Sequence, residues 1–352
     1  MRKTISVAAA TALLVGAIGA VPATAQDDQV LIGYSAPDLV GAQLQIQQGM
    51  VDGGAAKGWE TQTVTSNGDA NLQLEQIRDY LALGVDAIVN VPEDSAGVCV
   101  AVAEAQAAGI PFYTIDRAPT GCAINMTVLS DNFLAGQQSG EAVVAWLTEK
   151  YGEPKGKVLE ITGNMGQNVA QLRGGGFHDI VDQHEGIEVI TKIGDWKAEQ
   201  GVDIVRDVAS AEDLDGIYMH SDCVYTPGTL ATLDELGLLV PRDQEGHIHL
   251  SGVDACLQAL NAIRDGFSDQ ASNQPIPDFG VVAADFIEIE LNGGVIEPQT
   301  IEQEGALWSP ARIEDSEIGP QLFLSTTSVG ADNVDDPRLW GNVEAAAAAE
   351  GE

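Results

Sequence analysis

The sequence predicts an α/β fold made of two similar, doubly wound parallel-sheet lobes joined by a three-strand hinge. Three observations predict it. From residue 29 onward, short β-rich apolar runs alternate with helical patterns, and a glycine follows each of the first three helices; that order gives a parallel sheet with helices on both faces. After residue 132 a second series begins that echoes the first, with GVDAIVN (84–90) against DLDGIYMHSD (213–222) and FYTIDR (112–117) against HLSGVD (249–254). Finally, strands in both halves stop at polar groups: Asp116 and Arg117 in the first, Ser221, Asp222 and Asp254 in the second. In open α/β sheets, ligands bind beyond the carboxyl ends of the strands.

The chain opens with Met1, Arg2 and Lys3, an Ala-rich apolar run over 5–21, and Ala23-Thr24-Ala25. Charged start, apolar run and small-residue cleavage site make 1–25 a secretory signal peptide cut after Ala25, so the expected location is the periplasm. The competing membrane anchor would need a longer apolar run. No cysteine stands near the cut to carry a lipid.

Strand patterns follow over 29–35, 60–65, 87–91 and 112–115, separated by helices over 43–57, 71–83 and 95–108 that stop at Gly58, Gly84 and Gly109. Glycine is the usual helix stop because it adopts the left-handed conformation without cost. The second series has helices over 134–150, 168–183, 198–209 and 229–236. Its strands fall over 158–161, 188–193, 216–219 and 248–252. A last strand candidate spans 321–325, and a polar, Ala-rich tail that should fray fills 326–352. The expected lobes are 26–130 plus 275–303 and 131–274 plus 304–325. The chain should cross between them near 130–132, 273–276 and 303–308.

Sixteen basic residues face 53 acidic ones. Removal of Arg2 and Lys3 with the signal leaves 14 basic residues and a net charge of −39. Nucleic-acid binding requires a basic footprint and is excluded. With 45% hydrophobic residues, the chain is globular beneath an acidic surface suited to high salt, where screening relaxes self-repulsion. The expected outcome is a melting temperature that climbs as NaCl is raised to molar levels; a flat or falling trend would remove the high-salt reading.

Four cysteines in an exported chain favour disulfides. Cys99 with Cys122, and Cys223 with Cys256, lie in neighbouring βα units; four small buried residues are the alternative.

Asp116 and Arg117 place a carboxylate acceptor beside a guanidinium fork, which suits a neutral ligand whose hydroxyls both donate and accept; a surface ion pair is the plainer reading. Arg173 sits in QLRGGGF, where three glycines are costly in a helix unless something approaches closely. It could hold vicinal hydroxyls or be solvated. Trp196 could stack on a sugar face or pack in the core. Asp116 and Asp254 could also be the carboxylate pair of a secreted glycosidase. His247 and His249 share a strand face but lack a third ligand, so no metal is expected. No HExxH, GxSxG or GxxxxGK motif occurs, and GNMGQN (163–168) fits no phosphate loop.

TIDR (114–117), SDN (130–132) followed by Gly136, RGGGF (173–177), SD (221–222) and GVD (252–254), in this order, resemble the periplasmic sugar-binding proteins of ABC importers. The resemblance is to the ribose-binding-protein-like group with the type I periplasmic binding protein fold, and it covers about residues 29–325. It implies that Ser35, Asp116, Arg117, Arg173, Trp196, Ser221, Asp254 and Gln274 contact the ligand, Ser35 from the end of the first strand and Gln274 from a hinge crossing. The implied ligand is a monosaccharide (pentose or hexose) or polyol, with an autoinducer or nucleoside as the alternative. The implied partners are a membrane permease and a chemoreceptor, with the protein a monomer without cofactor or catalysis. The loop 36–43 lacks the paired Phe of ribose binders, and Val91 stands where the family has Asn before Pro.

Overall fold

A computed structural model describes residues 29–39 and 41–350; the expected signal peptide lies outside them. The first series comprises β1 (Leu31–Ala36), α1 (Gly41–Ala56), β2 (Glu60–Thr65), α2 (Ala70–Leu83), β3 (Ala87–Asn90), α3 (Cys99–Ala108), β4 (Phe112–Ile115) and β5 (Met126–Ser130). The second runs through α4 (Asn132–Tyr151), β6 (Gly156–Thr162), α5 (Asn168–Val181), β7 (Ile187–Ile193) and α6 (Ala198–Ala211). It continues with β8 (Gly216–Met219), α7 (Asp222–Glu235), β9 (His249–Asp254), α8 (Leu257–Arg264) and β10 (Gln270–Asn273). Then come α9 (Asp278–Leu291), β11 (Gln299–Ile301), β12 (Ala311–Ser316), β13 (Gly319–Leu324), β14 (Thr327–Val329) and α10 (Trp340–Glu350).

Two sheets result, in the orders β11-β12-β13-β5-β4-β3-β1-β2 and β14-β10-β9-β8-β6-β7. The central strands are short and buried along their whole length, AIVN in β3, FYTI in β4 and GIYM in β8, as expected for parallel strands covered on both faces. Ile32, Val89, Ile115 and Phe279 belong to one core, and Leu159, Ile217, Met219 and Leu250 to another. Each such side chain contributes roughly 1.5–3 kcal/mol by leaving water. These cores fix the strand ends, and the strand ends carry the site.

Of the three glycines after Arg173, Gly176 has a clear packing cause. A Cβ on Gly176 would lie 2.0 Å from the carbonyl oxygen of Phe133, and one on Gly136 2.1 Å from that of Arg173. Helices α4 and α5 therefore meet backbone to backbone. Close approach of α4 explains Gly176, and α5 carries Arg173 in its first half, where it lines the cleft.

The chain passes between the sheets after Ser130, after Asn273 and after Leu324. The third passage corrects the expectation of 303–308. Segment 304–325 does not join the second lobe: Gln321–Leu324 pairs in parallel with Thr127–Ser130, and Leu322 and Leu324 are buried in the first core. An apolar QLFL run shows that a strand exists but not which sheet edge accepts it. Helix α7 likewise starts at Asp222, seven residues before the expected 229, with Pro227 inside it and Ser221 as its cap. The tail is also more ordered than expected, since Trp340 begins α10 and is buried. Disulfides join Cys99 to Cys122 and Cys223 to Cys256, each with Cα atoms 5.6 Å apart. No described helix is long and apolar enough to cross a membrane.

A buried network sits behind Arg173. Glu160, 1% exposed, meets His220 Nε2 at 2.9 Å, His178 Nε2 at 3.1 Å and the Thr191 hydroxyl at 2.7 Å. Burial alone would raise the Glu160 carboxyl, but the bonds from His178, His220 and Thr191 hold it down at about 2. Its bond to Glu160, chiefly, lifts His178 to about 9. A histidine raised in the folded state stabilises fully below its ordinary value near 6.5, and that contribution is lost as pH climbs through about 9. Thermal melts should therefore fall between these two values, and His178→Asn should flatten that decline. Parallel curves for both proteins would show that the pair carries no pH-dependent stability.

Candidate functional site

A cavity of about 350 Å³ lies where the carboxyl ends of the two sheets face each other. Its wall includes Asp116, Arg117, Arg173, Trp196, Ser221 and Asp254, six of the residues expected from sequence. Ser35 and Gln274 are not on the wall. Ser35 is wholly buried with its hydroxyl unpartnered. The Gln274 amide donates to Asp254 Oδ1 at 2.9 Å, so it orients the acid from behind.

Each acid ends a strand in a backbone conformation that side chains rarely adopt. Asp116 has φ 65° and Asp254 φ 118°, and Asp195 and Trp196 are also left-handed, at 53° and 56°. Such residues cost about 1–3 kcal/mol each and persist where the surroundings over-determine them. Three of these four, Asp116, Trp196 and Asp254, line the cleft.

On the first lobe, Asp116 Oδ2 accepts from the Gln43 amide at 3.0 Å and lies 3.7 Å from Arg117 Nε. Arg117 donates from Nη1 to the Pro92 carbonyl at 3.1 Å, while its buried Nε–H lacks a hydrogen-bond partner. On the second, Arg173 donates from Nε to Asn132 Oδ1 at 2.8 Å and from Nη1 to the His220 carbonyl, and pairs with Asp254 Oδ1 at 3.2 Å. Ser221 donates to Asp254 Oδ2. Burial pushes the Asp254 carboxyl above its usual range, with Arg173 and the Ser221 bond opposing. Asp222, buried behind it, is pushed well up by burial and by the Asp254 charge.

Trp196 stands with its ring centroid 5.7 Å from the Arg173 guanidinium carbon. A Cβ on Gly163 would fall 1.9 Å from that ring, so the first glycine of GNMGQN makes room for it. Gln167 in the same loop accepts from the indole N–H and donates to the Glu93 carbonyl of the other lobe at 2.9 Å. Its neighbour Asn168 accepts from the Ala118 N–H at 2.9 Å. These bonds close the lobes over the cavity.

Sequence reasoning missed Gln43, Asn132 and Gln167. Asn132 lay in the SDN motif without a role, and Gln167 in a loop considered only for phosphate. Half-buried Asp38 also lines the wall. The lining thus carries two guanidinium groups against three carboxylates, with no surplus cation for an anionic ligand. His247 and His249 both approach Asp269, at 2.9 and 3.5 Å, and are buried. Asp222, Cys223 and Cys256 form the one metal-like grouping among the described residues, and both of its cysteines are in a disulfide.

Two α/β lobes joined by three chain passages, with a cleft between them that carries acids and guanidinium groups from both, define a solute-binding protein. Comparison with known proteins agrees. Residues 15–294 match the family described as periplasmic binding protein domain, and the chain belongs to that family. It is 29% identical over 224 residues to the ribose import binding protein of Bacillus subtilis (strain 168), covering 63% of this chain and 68% of the relative. It is 24% identical over 334 residues to a xylitol-binding protein of Mycolicibacterium smegmatis, covering 94% and 86%. Similar solved folds include a galactofuranose binding protein, at TM-score 0.74 and 20% identity over 90% of this chain and 99% of that one. Another is an ABC transporter solute binding protein of Bacillus halodurans C-125 with bound myo-inositol, at TM-score 0.75 and 21% identity over the same shares.

Proposed function

We propose that this chain is the extracytoplasmic solute-binding component of an ABC importer, capturing a monosaccharide or polyol in the interlobe cleft and delivering it to a membrane permease. One observation carries the ligand class: each lobe presents a carboxylate beside a guanidinium, Asp116 with Arg117 and Asp254 with Arg173. Vicinal hydroxyls can donate to the acid and accept from the fork. In an enclosed cleft these bonds are stronger than in water. The relatives named for ribose and xylitol, and the solved fold with bound myo-inositol, support the same class.

Turnover is not part of the reading. Asp116 is held by Gln43 and Arg117, and Asp254 by Ser221, Gln274 and Arg173; groups so engaged are placed to hold hydroxyls rather than to exchange protons with water. The turn after β1 and the first turn of α1 supply Asp38 and Gln43 where ribose binders have paired Phe, which favours a polyol or a sugar other than ribose. A thermal-shift screen of pentoses, hexoses, polyols, nucleosides and sugar phosphates tests the class. Stabilisation by a neutral sugar or polyol is expected; a response confined to nucleosides or phosphates, or hydrolysis of an added glycoside, would overturn it.

A further inference from the structure

Residues 330–350 do more than end the chain. Val334, Leu339 and Trp340 are 4%, 1% and 3% exposed. Arg264 on α8 fastens the segment, donating to Asp335 at 2.8 Å and to the Val334 carbonyl at 3.0 Å. The Trp340 indole N–H donates to the main-chain carbonyl of Asp254. One residue on, a Cβ on Gly341 would lie 2.5 Å from the Leu257 nitrogen and 2.9 Å from the Ala255 oxygen, so α10 begins in backbone contact with 255–257.

That stretch needs holding. Asp254 and Ala255 are successive non-glycine residues at positive φ, 118° and 61°, and such a conformation relaxes unless its surroundings fix it. The Asp222 carboxylate takes the Ala255 N–H with both oxygens at 3.1 Å, and the disulfide ties Cys256 to α7. The Ala255 N–H and the Asp254 carbonyl are the two edges of one planar peptide, so Asp222 holds the N–H edge and leaves the carbonyl edge to other donors. The Gln274 N–H reaches that oxygen only at 3.4 Å, which leaves Trp340 as its principal donor.

We infer that Trp340 is a positioning residue for ligand binding: its N–H holds the carbonyl edge of the Asp254–Ala255 peptide opposite Asp222 on the N–H edge, and the two together fix the backbone from which the Asp254 carboxylate projects into the cleft. The C-terminal segment is then part of the binding apparatus. This rests on the reading above that Asp254 takes ligand hydroxyls.

Trp340→Phe keeps the buried ring and removes only the donor. With xylitol as probe, titration calorimetry should show affinity about tenfold weaker, the loss of one hydrogen bond to an oriented group. The same substitution made in an Asp116→Asn background should again cost about tenfold, whereas in an Asp254→Asn background it should cost less than about twofold, because only directly linked residues couple in such a cycle. Hydrogen exchange of the peptide 252–258 in the unliganded protein should also quicken in Trp340→Phe. Equal losses in every background, or unchanged exchange, would make Trp340 a core anchor alone and overturn the inference. If wild type fails to bind xylitol, the functional reading is at fault for that ligand, and the exchange measurement still decides the role of Trp340. Should Trp340→Phe not fold, the wild-type indole N–H resonance decides instead: protection from exchange is expected, and rapid exchange with solvent contradicts the bond to Asp254.

Discussion

Arg173→Met should cost the protein about 3–5 kcal/mol of stability and remove measurable ligand affinity. The guanidinium is 4% exposed and touches Asn132, the His220 carbonyl and Asp254 at once. Methionine can refill the space of the stem but supplies no charge. Asp254 would keep Ser221 and Gln274 as donors yet lose its counter-charge inside the protein, and breaking a buried pair from one side costs about 3–5 kcal/mol. Its carboxyl, already pushed up by burial with Arg173 the main opposing influence, would rise further and take up a proton. The second lobe would then lack a charged acceptor and hold ligand hydroxyls less tightly, even in molecules that still fold. Denaturant unfolding and calorimetry on one preparation would measure both effects. A loss of stability under about 1 kcal/mol would mean that the pair is solvated and the cleft far wetter than described.

Asp116→Ala is the second large effect, and it should separate binding from folding. Asp116 lies at a strand end, where it accepts from Gln43 and lies beside Arg117. Without it, the ligand hydroxyls lose the acceptor for their protons and the buried Arg117 loses its neighbouring carboxylate. Losing a hydrogen bond to a charged group costs about 1.5–3 kcal/mol, roughly 10- to 150-fold in affinity. The pair is looser than the second-lobe one, at 3.7 Å against 3.2 Å, and Arg117 keeps its bond to the Pro92 carbonyl, so the loss of stability should be smaller than in Arg173→Met. Arg117→Lys should also weaken binding, since an ammonium lacks the planar fork for paired hydroxyls. Unchanged affinity in both variants would remove the first-lobe half of the site.

Much of this was legible in the sequence because it depends on local signals. Hydrophobic runs of four or five residues, glycine stops and the echo between halves are enough for two parallel-sheet lobes. Polar residues at strand ends then locate the cleft. What was not legible depends on contacts between distant segments. QLFL could have joined either sheet, and only its register with Thr127–Ser130 decides. Gln167 reaches across the cleft to Glu93, more than seventy residues away in sequence (the separation is 74), and no local pattern marks that. The Ala-rich C-terminus has the composition of a fraying tail, yet one indole seated on the Asp254 carbonyl anchors it. Ser35 and Gln274 lie next to the cleft but behind its wall, a distinction that strand position alone cannot draw.

The central claim is that the cleft holds a neutral, hydroxyl-rich ligand between paired acids and guanidinium groups from both lobes. Titration calorimetry of the wild-type protein against xylitol, ribose, myo-inositol and ribose 5-phosphate tests it most directly. The expected result is one-to-one binding of at least one neutral compound, with the phosphate ester at least about tenfold weaker because the lining has no surplus cation to offset its charge. Binding of the phosphate ester in preference to all three neutral compounds would contradict the account.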